Sequence, residues 1–64
     1  MVKITLASAR VNAGYSQKVA AALLEVSNKT LCNWEKGKTF PDQPMIEKIC
    51  NLYGVTYDMI NFTP

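Results

Sequence analysis

Apolar residues recur along this chain at helical spacing, in short segments separated by residues that begin or end helices. In the segment 43–53, for example, Ile46, Ile49 and Tyr53 fall on one stripe of a helix, with Cys50 beside them. No segment alternates between apolar and polar residues as a half-buried strand would. The pattern therefore predicts an all-α protein built around one core.

Five helices are predicted, over residues 6–13, 17–24, 28–36, 43–53 and 57–62. Each follows a residue whose side-chain oxygen can cap a helix start, namely Thr5, Ser16, Ser27, Asp42 and Thr56. Glycines at positions 14, 37 and 54 end the first, third and fourth helices. Pro44 falls in the first turn of the fourth helix, where its missing N–H costs nothing.

The length of 64 residues supports one domain spanning 1–64 and no more. A chain this short buries only about 60% of the surface that its unfolded form exposes, so we expect modest stability. It has no apolar run long enough to predict a membrane span, and its first residues do not form a signal peptide. These features predict a cytoplasmic protein with no membrane partner.

The residue types needed for most catalytic or metal sites are scarce. The chain contains two cysteines, Cys32 and Cys50, in no zinc-binding spacing, and it contains no histidine. We expect two free thiols, with Cys50 in the core, because cytoplasmic disulfides are rare. No nucleophile–base pair and no glycine-rich phosphate loop occurs. The sequence therefore predicts no enzyme activity, no metal and no cofactor.

The third predicted helix has an unusual polar side. At 100° per residue, Leu31 and Trp34 fall on one side, and Asn28, Lys29, Cys32, Asn33 and Lys36 fall on the other. A helix side that only faces solvent is typically built from residues of higher helix propensity than Asn. Each Asn destabilises a helix by roughly a few tenths of a kcal/mol. An Asn amide matches the donor and acceptor of adenine in the major groove, and Lys can donate to guanine. The sequence favours DNA reading over a merely solvated face.

Charge is divided unequally along the chain. Residues 1–38 carry six basic and two acidic side chains, for a net charge of +4, whereas residues 39–64 carry one basic and three acidic side chains, for −2. A basic first half indicates a polyanionic partner. Charge alone leaves an alternative, which is an ordinary uneven distribution of charged residues with no functional meaning.

The segment "SQKVAAALLEVSNKTLCNWEKGKTFP" resembles the phage repressor and Cro family of helix-turn-helix proteins, and the similarity extends over nearly the whole chain. The matching positions are Gln17, Ala21, Val26, Ser27, Leu31 and Trp34. Glu25 departs from the pattern, because the family usually has glycine in this turn. The resemblance implies a compact five-helix, lambda-repressor-like fold in which helices two and three form the helix-turn-helix.

The resemblance also implies roles for individual residues. It places Asn28, Lys29 and Asn33 at base-reading positions. It places Gln17 and Ser27 where they touch the DNA backbone or the nearest base, and Lys36, Lys38 and Thr39 where the family's next loop meets phosphate. Ser16 is a further candidate for a backbone contact, because free N–H groups at the start of the second helix attract a phosphate. Arg10 and Glu35 occupy positions that pair in some phage repressors; the alternative is two unrelated surface charges.

A single short helix binds DNA weakly, so we expect two copies on a two-fold symmetric site, as a weak homodimer that can form on DNA. The apolar residues at the end of the chain, with Phe40, are the expected interface: Tyr57, Met59, Ile60 and Phe62. The alternative is that Ile60 and Tyr57 complete the monomer core.

The sequence therefore predicts a sequence-specific, double-stranded DNA-binding transcriptional regulator of the phage or prophage Cro or repressor type, which blocks polymerase at an operator. The alternative is a protein-interaction module on the same fold, such as an antitoxin or anti-repressor. Loss of the basic face would distinguish such a module from a DNA-binding protein, and this chain keeps its basic face.

Overall fold

The computed structural model describes residues 3–62. Within this range there are four α-helices, which we name α1 (Leu6–Asn12), α2 (Gln17–Leu23), α3 (Asn28–Lys36) and α4 (Gln43–Tyr53). Two short strands, β1 (Ile4–Thr5) and β2 (Ile60–Asn61), form a parallel pair in which Ile4 lies opposite Ile60. A short 3-10 turn, Tyr57–Met59, precedes β2. Within the described range no helix is both long and apolar enough to cross a bilayer.

The first four predicted helix starts agree with the structure. The side chains of Thr5, Ser16, Ser27 and Asp42 each accept a hydrogen bond from the backbone N–H three residues later. Each bond satisfies one of the N–H groups that a helix start leaves without a partner. Gly37 and Gly54 end α3 and α4 in the left-handed region, at φ of 76° and 69°, where glycine has no steric cost.

The predicted fifth helix, residues 57–62, is wrong beyond its first three residues. Thr56 makes no side-chain cap, and the 3-10 turn ends at Met59. Ile60 then has the extended angles φ −106° and ψ 131° and pairs with β1. The prediction that the chain has no strand is wrong for the same reason: a two-residue strand is too short to show alternation, and its partner lies at the other end of the chain.

The core lies where the helices and β2 meet. Its buried apolar residues are Leu6, Ala9, Ala20, Ala21, Leu24, Leu31, Trp34, Ile49, Tyr53 and Ile60. The two buried alanines of α2 allow α3 to approach closely, since larger side chains there would push the helices apart. Ile60 is only 3% exposed, so its prediction as an interface residue is wrong and the alternative, completion of the monomer core, holds.

Glu25 is the non-glycine residue with positive φ in the described part of the chain, at 60°. This conformation costs an L-residue about 1–2 kcal/mol. We expect Glu25→Gly to raise the free energy of unfolding by up to about 1 kcal/mol, because it relieves this strain but loses an exposed contact with Lys48. Chemical denaturation checks this. Glu25→Gln is the control, because it removes the charge and keeps the strain; a midpoint for Glu25→Gly no higher than that of the control contradicts the prediction.

Candidate nucleic-acid interface

The turn between α2 and α3 fixes the position of α3. Leu24 is the C-cap of α2, and Glu25 reverses the chain through its left-handed conformation. The Val26 N–H then donates to the Ala21 carbonyl at 3.0 Å, which closes the turn, and Ser27 caps α3. Only four residues separate the two helices, so α3 lies directly across α2. This is the tight helix–turn–helix arrangement that presents a second helix to a DNA groove.

The two sides of α3 differ as the sequence predicts. Leu31 and Trp34 are buried, with 0% and 7% of their surface exposed. On the opposite side Asn28, Lys29 and Lys36 are exposed, and Asn33 and Cys32 are half-buried. The structure therefore brings the three predicted base-reading residues together on one accessible surface, which we call the α3 polar face: Asn28, Lys29, Cys32, Asn33 and Lys36.

Arg10 and Glu35 form an ion pair that joins α1 to α3. Arg10 Nε donates to Glu35 Oε2 at 2.8 Å, and the side chains are only 14% and 8% exposed. A second Arg10 nitrogen, Nη1, donates to the backbone carbonyl of Tyr15 at 2.8 Å. The alternative of two unrelated surface charges is therefore wrong.

The hydrogen bonds continue from this ion pair to the α3 polar face. Gln17 Nε2 donates to Glu35 Oε1 at 3.0 Å, and Asn28 Nδ2 donates to Gln17 Oε1 at 3.2 Å. The family resemblance implies that Gln17 touches the DNA backbone or the nearest base, but it does not imply this bond to Asn28. Asn28 keeps its amide oxygen and a second amide hydrogen, so it still has the donor and acceptor that adenine requires. We call these four side chains the polar chain: Arg10, Glu35, Gln17 and Asn28.

The residues predicted to contact the DNA backbone lie at two places. Ser16 and Ser27 cap α2 and α3 through their hydroxyl oxygens, and the Ser27 hydroxyl also lies 2.8 Å from that of Thr30. Lys36 ends α3, and Lys38 and Thr39 follow Gly37 as exposed residues. Lys36 and Lys38 thus lie at the end of α3 that is far from Ser27.

The predicted interface residues remain accessible, apart from Ile60. Phe40 is 60%, Tyr57 57% and Met59 39% exposed. Phe62 is half-buried and stacks on Tyr57, with ring centroids 5.7 Å apart. An open groove of about 310 Å³ lies next to Tyr57, with Ile46 and Cys50 among its lining residues.

Both cysteines are free thiols and half-buried. Cys50 packs against the core, and burial raises the pKa of its thiol, which disfavours the thiolate. Within residues 3–62, no three side chains of the histidine, cysteine, aspartate or glutamate type lie together as metal ligands.

Comparison with known proteins gives two matches to this arrangement. A family model described as "Helix-turn-helix" matches residues 6–60. The HTH-type transcriptional regulator ImmR of Bacillus subtilis (strain 168) is similar over 55 residues, with 42% identity, which covers 86% of this chain and 43% of that protein. The chain thus spans less than half the length of this relative. No solved structure gives a significant match. The family match covers most of the chain and includes α1 to α4, so the chain belongs to the XRE-like helix-turn-helix family.

Proposed function

We propose that this protein binds double-stranded DNA in a sequence-specific manner, with α3 in the major groove, and regulates transcription from the bound operator. The observation that carries the proposal is the α3 polar face. It presents amides and ammonium groups outward, and Leu31 and Trp34 fix the helix from beneath. A major groove about 12 Å wide admits one such helix. The matched relative's name, a transcriptional regulator, agrees with this proposal.

The contacts divide into two kinds. Asn28, Lys29 and Asn33 read base edges, because they lie on the accessible side of α3 and carry the donors and acceptors that bases match. The remaining candidates hold the phosphates and set affinity and its salt dependence: Ser16, Gln17, Ser27, Lys36, Lys38 and Thr39. The Ser16 hydroxyl hydrogen stays available for a phosphate, since the cap uses only the oxygen.

We also propose that two copies bind a two-fold symmetric operator and meet through Phe40, Tyr57, Met59 and Phe62. Exposed aromatic and methionine side chains are enriched at such interfaces. The small size of the patch favours a weak dimer that DNA stabilises, since each half-site holds one copy beside the other. Bound in this way in the cytoplasm, the dimer excludes polymerase from the operator, as Cro and repressor proteins do.

Asn33→Ala tests the assignment of base reading. We expect it to weaken binding by about 1–3 kcal/mol on the preferred site, and to remove the preference for one base at one position of each half-site. Binding titrations on duplexes that vary each position measure both effects. Asn51→Ala, an exposed Asn on α4, is the control and leaves the base preference unchanged. Equal weakening on every duplex would instead assign Asn33 to the DNA backbone.

A further inference from the structure

The hydrogen bonds of the polar chain all have the same direction. Arg10 Nε and Gln17 Nε2 donate to the two oxygens of Glu35, at 2.8 and 3.0 Å. Asn28 Nδ2 then donates to Gln17 Oε1 at 3.2 Å. The Glu35 side chain is 8% exposed, whereas Asn28 is exposed at the start of the same helix. The polar chain thus connects a largely buried charge with a side chain of the α3 polar face.

The direction of these bonds follows from the charge of Glu35. An ionised carboxylate only accepts hydrogen bonds, whereas an amide side chain can either donate or accept. Gln17 therefore bonds to Glu35 through its NH2 group, which leaves its oxygen facing Asn28. Asn28 can bond to that oxygen only through its own NH2 group, so its oxygen and one amide hydrogen stay free. The carboxylate of Glu35 thus decides which amide atoms Asn28 presents outward.

The orientation of the Asn28 amide matters for base reading, because adenine and guanine differ in their major-groove edges. Adenine offers the N6 donor beside the N7 acceptor, and guanine offers two acceptors, O6 and N7. With its NH2 group held by Gln17, Asn28 presents an oxygen and one hydrogen, which suit adenine. Turned by 180°, the same amide would bond to Gln17 through its oxygen and present two hydrogens, which suit guanine.

We propose that Glu35 is a positioning residue that sets the base preference at the position read by Asn28. Its carboxylate fixes the orientation of the Gln17 amide and, through Gln17, that of the Asn28 amide. The ion pair with Arg10 therefore acts on specificity as well as on stability. The step from Asn28 to base preference rests on the proposed function. The step from Glu35 to Asn28 does not, and the two are tested separately.

Glu35→Gln, studied by NMR in the free protein, tests the internal step. The new side chain turns its oxygen to Arg10, because arginine only donates, and its NH2 group to Gln17. Gln17 then accepts with its oxygen, and its NH2 group faces Asn28. We expect the side-chain amide signals of Asn28 to shift, and to stop responding to this substitution in a Gln17→Ala background.

Glu25→Gln is the matched control for this experiment. It removes the same charge from a side chain that is 81% exposed, so we expect the Asn28 amide signals to stay in place. Asn28 signals that do not move in Glu35→Gln overturn the proposal. An equal shift in the Gln17→Ala background also overturns it, because the effect then does not pass through Gln17.

Titration of Glu35→Gln on duplexes with adenine or guanine at the position read by Asn28 tests the step to recognition. We expect the ratio of affinities, adenine over guanine, to fall at least about fivefold, since the amide reverses. The control Glu25→Gln changes both affinities alike through its charge and leaves the ratio unchanged. An unchanged ratio in folded Glu35→Gln overturns the role in specificity. If the wild-type protein binds no duplex selectively, the proposed function fails, and the NMR result still decides the internal step.

The double variant Arg10→Met, Glu35→Leu provides the same test without a buried unpaired charge. Replacing both partners of a buried ion pair by apolar side chains often preserves stability, and circular dichroism verifies the fold. Gln17 then has no acceptor at position 35 to fix its amide. We expect the ratio of affinities, adenine over guanine, to fall at least about threefold. If Glu35→Gln does not fold, this variant decides the step to recognition, and an unchanged ratio overturns the role of Glu35.

Discussion

Replacing Arg10 with methionine lowers the free energy of unfolding by about 3–5 kcal/mol, which is the cost expected when one partner of a buried ion pair is removed. The side chains of Arg10 and Glu35 are 14% and 8% exposed, so the Glu35 carboxylate stays largely out of water after the change. It keeps the neutral Gln17 amide as a donor but loses its charged partner. Chemical denaturation measures the loss.

Lys48→Met is the matched control for this change. It breaks an ion pair with Glu25 whose nitrogen–oxygen distance is 3.6 Å and whose side chains are 53% and 81% exposed. Exposed pairs contribute less than about 1 kcal/mol, so we expect a small effect. The double variant Arg10→Met, Glu35→Leu recovers much of the lost stability, since no unpaired charge remains. If Arg10→Met and Lys48→Met lower the free energy of unfolding equally, the result contradicts the claim that the Arg10–Glu35 pair stabilises the fold as a buried ion pair.

Leu31→Ala lowers the free energy of unfolding by about 2–5 kcal/mol, because it leaves a cavity where α3 packs on α2. Leu31 is fully buried, with 0% exposure. A domain of this length has a total stability of roughly 3–10 kcal/mol, so the variant loses a large fraction of that stability. Circular dichroism during chemical denaturation measures this directly, and DNA binding falls on every duplex as folded protein is lost.

Leu23→Ala is the control for Leu31→Ala. It makes the same substitution in α2 at a side chain that is 53% exposed, and we expect a change within about 0.5 kcal/mol. Similar losses in the two variants would contradict the placement of Leu31 in the core. The comparison also separates fold from recognition, because Asn33→Ala changes base preference without a comparable loss of stability.

The helix starts were predictable from sequence because their signals are local. A capping side chain such as Ser27 bonds to a backbone N–H only three residues later, so the signal and its effect lie in one short segment. The left-handed turn at Glu25 is also expected, from the family resemblance, because the family usually has glycine at this position. The apolar and polar sides of α3 could be predicted from the helical period alone, because Leu31 and Trp34 are its two large apolar residues.

The contacts that the sequence did not reveal join distant segments. Ile60 adopts a strand because β1 lies at the other end of the chain, and nothing near Ile60 in sequence indicates that partner. The bonds that connect Gln17 to Glu35 and Asn28 span 18 and 11 residues. Each of these polar residues also has a plausible role at a DNA surface, so residue type alone did not indicate that they bond to one another.

Selection of bound duplexes from a random DNA pool, at near-physiological salt, tests the central claim most directly. We expect enrichment of a two-fold symmetric site with adenines in each half-site, because each copy presents Asn28 and Asn33 to the major groove. Enrichment of a single short half-site would support DNA reading and contradict the dimer. No enrichment by a folded protein would contradict DNA recognition and favour a protein-interaction module on the same fold.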